Sequence, residues 1–362
     1  MERLYDKLKA YSESDFYAFH MPGHKRNKAL LGIELPYDLD ITEIDGFDDL
    51  HHADGILKEE QERAARVFGA EESHFLVNGS TAGILSAVMG CTHRGDKILV
   101  ARHCHKSIYH AIYMNGLVPR YVYPEFDISM HMNGEISKED VAKALAAEPD
   151  IKAVVIVSPN YDGVVSDVKG IAEVAHSYRI PLIVDEAHGP HFGFHPAFPG
   201  RANDLGADVV INSLHKTLPS LTQTAILHIN GKFANRRRIK KYLDMLQSSS
   251  PSYIFMASLD ACVDFVDGKC ENAFELYVER LQKFREELKP LQHLQILRTE
   301  HYDISKVVIS TANANITSPE LAERLRKEYH LEMEMCGADY VTAIAAIGEY
   351  EEDIRTAEGQ TH

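Results

Sequence analysis

Two polar clusters follow short apolar runs in the middle of this chain. Asp185 directly follows the run 181–184, in Leu-Ile-Val-Asp-Glu-Ala-His-Gly, and Lys216 follows the run 208–211, in Ile-Asn-Ser-Leu-His-Lys-Thr. Such runs are typical of buried parallel strands, and open α/β sheets bind ligands at the carboxyl ends of their strands. A lysine and a carboxylate placed there could hold an aldehyde cofactor, the lysine as a Schiff base and the carboxylate against a ring nitrogen. Pyridoxal phosphate is the candidate.

Each of these residues also has an ordinary structural explanation. A lysine after a strand is commonly a solvated loop residue, and an aspartate at a strand end commonly caps a turn or a helix. The choice therefore depends on whether the sequence also supplies a site for the phosphate group of such a cofactor.

A phosphate site is indicated by the segment 73–83, Ser-His-Phe-Leu-Val-Asn-Gly-Ser-Thr-Ala-Gly. A short apolar strand leads into the turn Gly79, Ser80 and Thr81, and a helical pattern follows. Backbone N–H groups and hydroxyls at a helix N-terminus stabilise a phosphate. A Ser or Thr helix cap without a ligand is the alternative, and the chain has no Walker-type Gly-x-x-x-x-Gly-Lys loop.

Taken in this order, the three motifs resemble those of pyridoxal-phosphate enzymes of the aspartate-aminotransferase fold type, fold type I. More narrowly, the chain resembles the Orn/Lys/Arg decarboxylase family (group III), in a short form without the wing domain. This resemblance extends from about residue 15 to about residue 350. It rests on the segments 19–25 (Phe-His-Met-Pro-Gly-His-Lys), 40–43 (Asp-Ile-Thr-Glu), 48–51 (Asp-Asp-Leu-His), 104–107 (Cys-His-Lys-Ser), 213–219 (Ser-Leu-His-Lys-Thr-Leu-Pro) and 250–253 (Ser-Pro-Ser-Tyr).

The resemblance implies specific roles for the site residues. Lys216, Asp185 and His105 would be catalytic, with the His105 ring stacked on the pyridine; without the family, His105 is a histidine at a helix start. His188 would lie near the cofactor O3′ atom. The implied cofactor-binding set is Gly79, Ser80, Thr81, His105, Asp185, His188, Ser213, His215 and Lys216, of which Ser213 and His215 would lie near the phosphate.

The resemblance further implies decarboxylation of arginine, lysine or ornithine to an amine and CO2, as in polyamine biosynthesis. One alternative keeps pyridoxal 5′-phosphate but changes the reaction to aminotransfer or aldol cleavage. An aminotransferase would need an arginine for the substrate carboxylate, and Arg324, Arg326 and Arg355 are the candidates. The other alternative is a shortened paralogue that binds cofactor or a partner chain without turnover.

The ends of the chain bear on its assembly. Longer family members carry an N-terminal wing domain that builds rings, whereas this chain starts almost directly at the segment 19–25, so we expect a homodimer. It ends at His362, where family members continue into a further helix and a C-terminal domain, so part of the substrate-recognition surface is expected to lie outside it. Residues 248–250 are expected to reach the cofactor of a neighbouring subunit.

Composition narrows the class of partner. The 362 residues carry a formal net charge of −16, which argues against nucleic acid as a partner and suits a cationic amino acid. No apolar run approaches the ~20 residues of a membrane helix, and the charged N-terminus is unlike a signal peptide. The five cysteines are dispersed, as in reduced cytoplasmic proteins. The twenty histidines lack the spacing of a metal site, so we predict no metal.

Apolar patterning predicts the architecture. Strand and helix patterns alternate from about residue 56 to about residue 230, which favours an α/β fold with a doubly wound, mainly parallel sheet and a smaller C-terminal α+β domain. We expect an N-terminal segment 1–55 contributing to the active site, a large cofactor-binding domain 56–290, and a small domain 291–362 that is apparently truncated. The predicted helices are 56–68, 105–114, 168–178, 233–246, 273–288 and 319–329; the predicted strands are 75–77, 97–101, 153–157, those ending at 185 and 212, 224–229, 306–310 and 331–335.

Overall fold

The computed structural model of the chain describes residues 2–128, 131–297 and 301–349. Its helices are α1 (Leu4–Ser12), α2 (Ile56–Val67), α3 (Gly79–Cys91), α4 (Lys106–Asn115), α5 (Lys138–Ala147), α6 (Val168–Ser177), α7 (Leu214–Thr217), α8 (Arg236–Leu246), α9 (Tyr253–Val266), α10 (Glu271–Glu287) and α11 (Ser318–Tyr329). Its strands are β1 (Glu72–Leu76), β2 (Lys97–Ala101), β3 (Val118–Val122), β4 (Phe126–Asp127), β5 (Met132–Asn133), β6 (Ile151–Val157), β7 (Leu182–Asp185), β8 (Val209–Asn212), β9 (Ala225–Ile229), β10 (Gln295–Ile296), β11 (Lys306–Ser310), β12 (Met335–Cys336) and β13 (Tyr340–Ile344).

The central sheet has seven strands in the order β1-β9-β8-β7-β6-β2-β3. Strands β8, β7, β6, β2 and β3 are parallel, whereas β9 is antiparallel to both of its neighbours. The connection from β8 to β9, residues 213–224, contains the four-residue helix α7 and joins two antiparallel neighbours. The predicted doubly wound, mainly parallel sheet is therefore confirmed, with one reversal beside the lysine.

Helix α3 packs closely against the sheet and against α8. A Cβ at Gly90 would lie 2.9 Å from the backbone nitrogen of Ile239 in α8, and a Cβ at Gly83 would lie 2.6 Å from a methyl of Leu76 in β1. Glycine at these positions lets the helix approach both neighbours. Because α3 begins at the carboxyl end of β1, this packing fixes where its N-terminus points.

A second sheet of four antiparallel strands, in the order β10-β11-β13-β12, follows α10. The predicted strand 331–335 is wrong for most of its length, and only Met335 of that range belongs to β12. Residue His330 ends α11 in the left-handed conformation, and the N–H of Leu331 bonds back to the carbonyl of Leu325. The residues after α11 therefore continue its terminal turn before the strand begins.

The two sheets are joined by backbone pairing at the carboxyl edge of the central sheet. The N–H of Asp303 bonds to the carbonyl of Gly163 at 2.9 Å, the N–H of Val165 bonds to the carbonyl of His301 at 3.1 Å, and Val164 forms a bridge with Tyr302. This pairing places the first residue of β11 next to the loop that follows β6.

Two general features concern the described residues as a whole. No helix within 2–128, 131–297 and 301–349 is long and apolar enough to cross a membrane. The five cysteines are free thiols, and three of them, Cys104, Cys262 and Cys270, are buried.

Candidate active site

The fold brings Asp185 and Lys216 together at one edge of the sheet. Asp185 is the last residue of β7 and pairs in register with Val157 of β6 and Ile211 of β8, while Lys216 lies in α7, directly after β8. The Asp185 carboxyl is 3% exposed and accepts a hydrogen bond from the Ala187 N–H at 3.2 Å. Burial raises the pKa of Asp185 to about 6, against the opposing effect of the Lys216 charge. It can therefore pair with a cation or hold a proton near neutral pH.

The Lys216 amine is held by a histidine. Its Nζ atom lies 2.8 Å from Nε2 of His188. Burial lowers the pKa of Lys216, and the carboxylates of Asp185 and Glu334 act in the opposite direction. Because desolvation disfavours the ammonium form, the amine becomes more available as a nucleophile.

The turn at the start of α3 has the features of an anion site. Gly79 adopts φ 73°, a conformation that favours glycine, and the N-cap residue Asn78 makes no side-chain capping bond. The N–H groups of the first turn of this 13-residue helix are therefore not capped by that side chain. The hydroxyls of Ser80 and Ser213 contact each other there, and Thr81 is exposed beside them. Three of the predicted phosphate residues thus meet a fourth, Ser213, which comes from the end of β8.

His105 is the N-cap of α4, which agrees with the alternative of a histidine at a helix start. Its Nδ1 accepts from the Ser107 N–H at 3.3 Å and contacts the Ser107 hydroxyl at 2.8 Å. Burial and the positive charge of Lys216 lower the pKa of His105, which places the ring in the electrostatic field of the lysine. A capping role and a role at the site are compatible, since capping uses only Nδ1.

His215 is oriented by the backbone. Its Nδ1 donates to the carbonyl of Thr224 at 2.9 Å, which leaves Nε2 as an acceptor while the ring is neutral. The contact expected between His215 and a phosphate would require the protonated ring. That contact stays a prediction.

The structure adds a residue that sequence reasoning missed. Nδ1 of His188 lies 3.0 Å from Nζ of Lys306, the first residue of β11, whose side chain is 0% exposed. A second histidine makes a parallel link, because His191 contacts the Thr217 hydroxyl at 2.9 Å and the Asp303 carboxylate at 3.1 Å. The two rings tie the segment after β8 to the start of β11. A lysine opening an apolar strand was the only sequence signal for Lys306.

A second missed feature is acidic. Glu334, just before β12, accepts a hydrogen bond from the Tyr161 hydroxyl at 2.5 Å. Its charge raises the pKa of both Lys216 and Lys306, so it lies in the same electrostatic neighbourhood. Asp162, which is 6% exposed, also faces Lys306.

These donor groups fit pyridoxal phosphate. A half-buried amine, a buried carboxylate and a helix N-terminus with two hydroxyls match its aldehyde, its ring nitrogen and its phosphate respectively. Across the ranges 2–128, 131–297 and 301–349, no three His, Cys, Asp or Glu side chains are grouped to hold a metal ion.

Comparison with known proteins identifies the family of this chain. The sequence matches the family described as "Orn/Lys/Arg decarboxylase, major domain" over residues 3–314. The Bacillus subtilis protein YaaO is 42% identical over 269 residues, which are 73% of this chain and 56% of YaaO. Arginine decarboxylase of Bacillus subtilis is 33% identical over 365 residues, which cover 97% of this chain and 74% of that enzyme.

A similar solved structure is that of Francisella novicida lysine decarboxylase LdcF. It superimposes with a TM-score of 0.85 at 20% identity, over 98% of this chain and 59% of that one. The chain therefore spans less than two thirds of YaaO and of LdcF. At this identity LdcF establishes the fold, and the sequence matches establish the family. This chain belongs to the Orn/Lys/Arg decarboxylase family.

Proposed function

We propose that this chain is a pyridoxal 5′-phosphate-dependent decarboxylase of arginine, lysine or ornithine, which releases CO2 and the corresponding amine. The observation that carries the proposal is the meeting of Lys216, Asp185 and the Ser80–Ser213 pair at one edge of the sheet. The amine product would be of the kind used in polyamine biosynthesis, as the family implies.

Each group has a defined task in this proposal. Pyridoxal phosphate, when bound, would supply an electron sink for the electron pair left when CO2 departs. Lys216 would hold its aldehyde carbon, and Asp185 would hold the ring nitrogen in its protonated form, since a nearby anion favours the cation. Gly79, Ser80, Thr81, Ser213 and His215 would hold the phosphate. His105 would cover the ring, and His188 would lie near O3′.

A basic substrate is supported by the charges at the site. Glu334 acts on both lysines and Asp162 acts on Lys306, so the site holds carboxylates that could receive the cationic end of an amino acid side chain. The relatives named as arginine and lysine decarboxylases point the same way. The choice among the three substrates is left to experiment.

The test is direct. The protein loaded with pyridoxal phosphate is incubated with arginine, lysine or ornithine, and CO2 and agmatine, cadaverine or putrescine are measured. One amine formed with an equal amount of CO2 is expected. A keto acid, or no product from any of the three, would contradict the proposal.

Replacement of the lysine tests the assignment of the attachment point. Lys216→Ala should abolish the cofactor adduct that borohydride traps and the mass spectrometer detects, whereas Lys241→Ala, an exposed lysine on α8, should keep it. An undiminished adduct in Lys216→Ala would exclude Lys216 as the attachment point.

The aminotransferase alternative has less support. Its candidate residues Arg324 and Arg326 lie exposed on α11, where Arg324 pairs with Glu328 at 3.3 Å. Arg355 lies outside the described residues. The remaining alternative, a chain without turnover, would release no CO2, and it would give a trapped adduct only if the chain still binds the cofactor.

We also propose a cytoplasmic homodimer with the domain division 1–55, 56–290 and 291–362. Large apolar side chains cluster in the N-terminal segment and are solvent-exposed: Phe16, Tyr17, Phe19, Met21, Leu30, Leu31, Ile33 and Leu35. Exposed apolar surface of this extent is typical of a protein interface. The segment 248–250, whose first N–H bonds Asn78 at 3.2 Å, would lie at the same interface.

A further inference from the structure

The contacts of His188 restrict the protons in the site. A neutral imidazole has one N–H donor and one acceptor nitrogen. His188 contacts an amine on each side, Lys216 at 2.8 Å from Nε2 and Lys306 at 3.0 Å from Nδ1. An ammonium group can only donate, so both hydrogen bonds exist together only if one of the two lysines is a neutral amine. The three side chains Lys216, His188 and Lys306 then have two arrangements, which differ in which lysine holds the proton.

Lys306 is placed so that it can be neutral. Its side chain is 0% exposed, and its nitrogen contacts Nδ1 of His188 at 3.0 Å. Burial lowers the pKa of Lys306 to about 8, and Lys216 lowers it too, whereas Asp303, Glu334 and Asp162 raise it. Burial and the neighbouring lysines also hold the pKa of His188 well below its ordinary value, so the ring is neutral.

The backbone fixes this position tightly. Gly163 has φ 100°, and a Cβ there would lie 2.7 Å from both Cβ and Cγ of Lys306. The absence of a side chain at Gly163 lets the lysine stem run past the loop after β6 towards His188. The second ring, His191 between Thr217 and Asp303, anchors the same two segments.

We propose that Lys306 accepts the proton of Lys216 and returns it, and that His188 relays this proton between the two amines. Lys216 Nζ gives a proton to Nε2 of His188 as Nδ1 gives its proton to Lys306 Nζ. The products are a neutral Lys216 amine, a neutral His188 in its other tautomer and a Lys306 ammonium, so no proton is gained or lost. The reverse transfer returns the proton to Lys216. Lys306 is thus a positioning residue that acts through His188.

The inference rests on the proposed function, in which Lys216 must be a neutral amine to hold the cofactor aldehyde. The relay supplies that form inside a site closed to bulk water on the Lys306 side, without releasing a proton to solvent. Lys306 belongs to the small four-stranded sheet. The relay to the Lys216 amine therefore requires that this sheet be docked on the central sheet.

The test uses the full-length, cofactor-free protein and no amino acid substrate. The rate at which added pyridoxal phosphate forms its covalent adduct is followed by absorbance from about pH 6 to about pH 10, and the midpoint of the profile is measured. In Lys306→Met no amine can accept the proton through His188, so Lys216 should keep its proton to higher pH. The midpoint should rise by about one unit, and the rate at pH 7 should fall about tenfold.

Lys306→Arg is expected to move the midpoint in the direction opposite to that of Lys306→Met. Its guanidinium stays charged and donates to Nδ1, which leaves Nε2–H to donate to a neutral Lys216, so the midpoint should fall. Lys152→Met, an exposed lysine on β6, is the matched control and should keep the wild-type midpoint. Midpoints that stay at the wild-type value in both Lys306 variants, or that move in the same direction, would overturn the proposal. If the arginine does not fit, Lys306→Gln should behave as the methionine variant does.

The role of the ring is tested separately. A His188→Phe protein has no imidazole to relay the proton, so adding Lys306→Met should move the midpoint by less than about 0.3 unit. A further shift of about one unit would mean that the amines act on each other only through space, and the relay would be wrong. Failure of the proposed function is read separately, as the absence of CO2 and amine with arginine, lysine and ornithine, or as the absence of any adduct at Lys216.

Discussion

The burial of Asp185 serves the proposed site but lowers the stability of the fold when the carboxyl group is ionised. It is 3% exposed, and burial raises its pKa from 3.8 to about 6. Between these two values the folded protein binds a proton that the unfolded chain has released. The contribution of Asp185 to stability therefore falls as the pH rises from about 4 to about 6, by roughly 2–3 kcal/mol.

Asp185→Asn should remove this pH-dependent cost and, with it, activity. Relative to wild type, the cofactor-free variant should gain roughly 2–3 kcal/mol between pH 4 and pH 7, measured by urea unfolding. Decarboxylation should fall by orders of magnitude, since no anion would then hold the ring nitrogen in its protonated form. Asp15→Asn, at an exposed position, is the control and should track wild type within about 0.5 kcal/mol. Parallel stability curves for Asp185→Asn and wild type would show that Asp185 is not buried as described.

At the scale of elements, the site depends on the contact between the loop after β6 and the strand β11. Gly163 adopts φ 100° and leaves no space for a methyl group against Lys306. Gly95 has a similar φ of 87° but nothing within 4 Å of an added Cβ. The two positions separate backbone strain from a steric clash.

Gly163→Ala should destabilise the protein by about 2–4 kcal/mol, because it adds overpacking to strain. Gly95→Ala should cost only the strain, about 1 kcal/mol. Denaturant unfolding of both variants gives the comparison, and formation of the cofactor adduct should be slowed in Gly163→Ala alone. Equal losses of stability in the two variants would contradict the described docking of β11.

A buried charge cluster joins α2 to α9. Arg63 contacts Glu60 at 2.6 Å, Asp264 at 3.1 Å and the Asp260 carboxylate, and Asp260 also accepts from the Leu4 N–H. Burial and then Asp260 raise the pKa of Glu60 to about 8. The arginine therefore keeps two buried carboxyl groups together and helps to fix α1.

Arg63→Leu should cost about 3–5 kcal/mol at pH 8, since it leaves buried carboxylates without a partner. The loss should shrink towards pH 5, where Glu60 is protonated and uncharged. Arg66→Leu, exposed on the same helix, should change stability by less than about 0.5 kcal/mol. A pH-independent loss in Arg63→Leu would show that the cluster acts by packing alone.

At the scale of the whole molecule, the exposed apolar N-terminal segment leads us to expect a dimer. Light scattering should give twice the mass of one chain for wild type. Phe19→Asp with Leu31→Asp should weaken the dimer at least tenfold, because both side chains are exposed in the single chain. Leu276→Asp, on an exposed part of α10, should leave the mass unchanged. A wild-type monomer at all concentrations would refute the expectation.

Much of the fold was predictable because its strands are short apolar runs between helical patterns. The predicted strands 97–101 and 306–310 match β2 and β11 residue for residue, and the strands ending at Asp185 and Asn212 end there. Helix α9, which is apolar on most sides, gives little amphipathic period and was missed. The strand 331–335 failed because the turn after α11 uses its first residues.

The sequence by itself determined the family, and it predicted the cofactor and the site residues that lie at strand ends. Asp185 and Lys216 follow strands that are consecutive in the chain and adjacent in the parallel sheet, so both lie at its carboxyl edge. Only the tertiary structure decided that Lys306, Glu334 and the pair His191 and Asp303 join them. These residues come from a second sheet whose docking depends on backbone pairing of 163–165 with 301–303, and no local periodicity records such a contact.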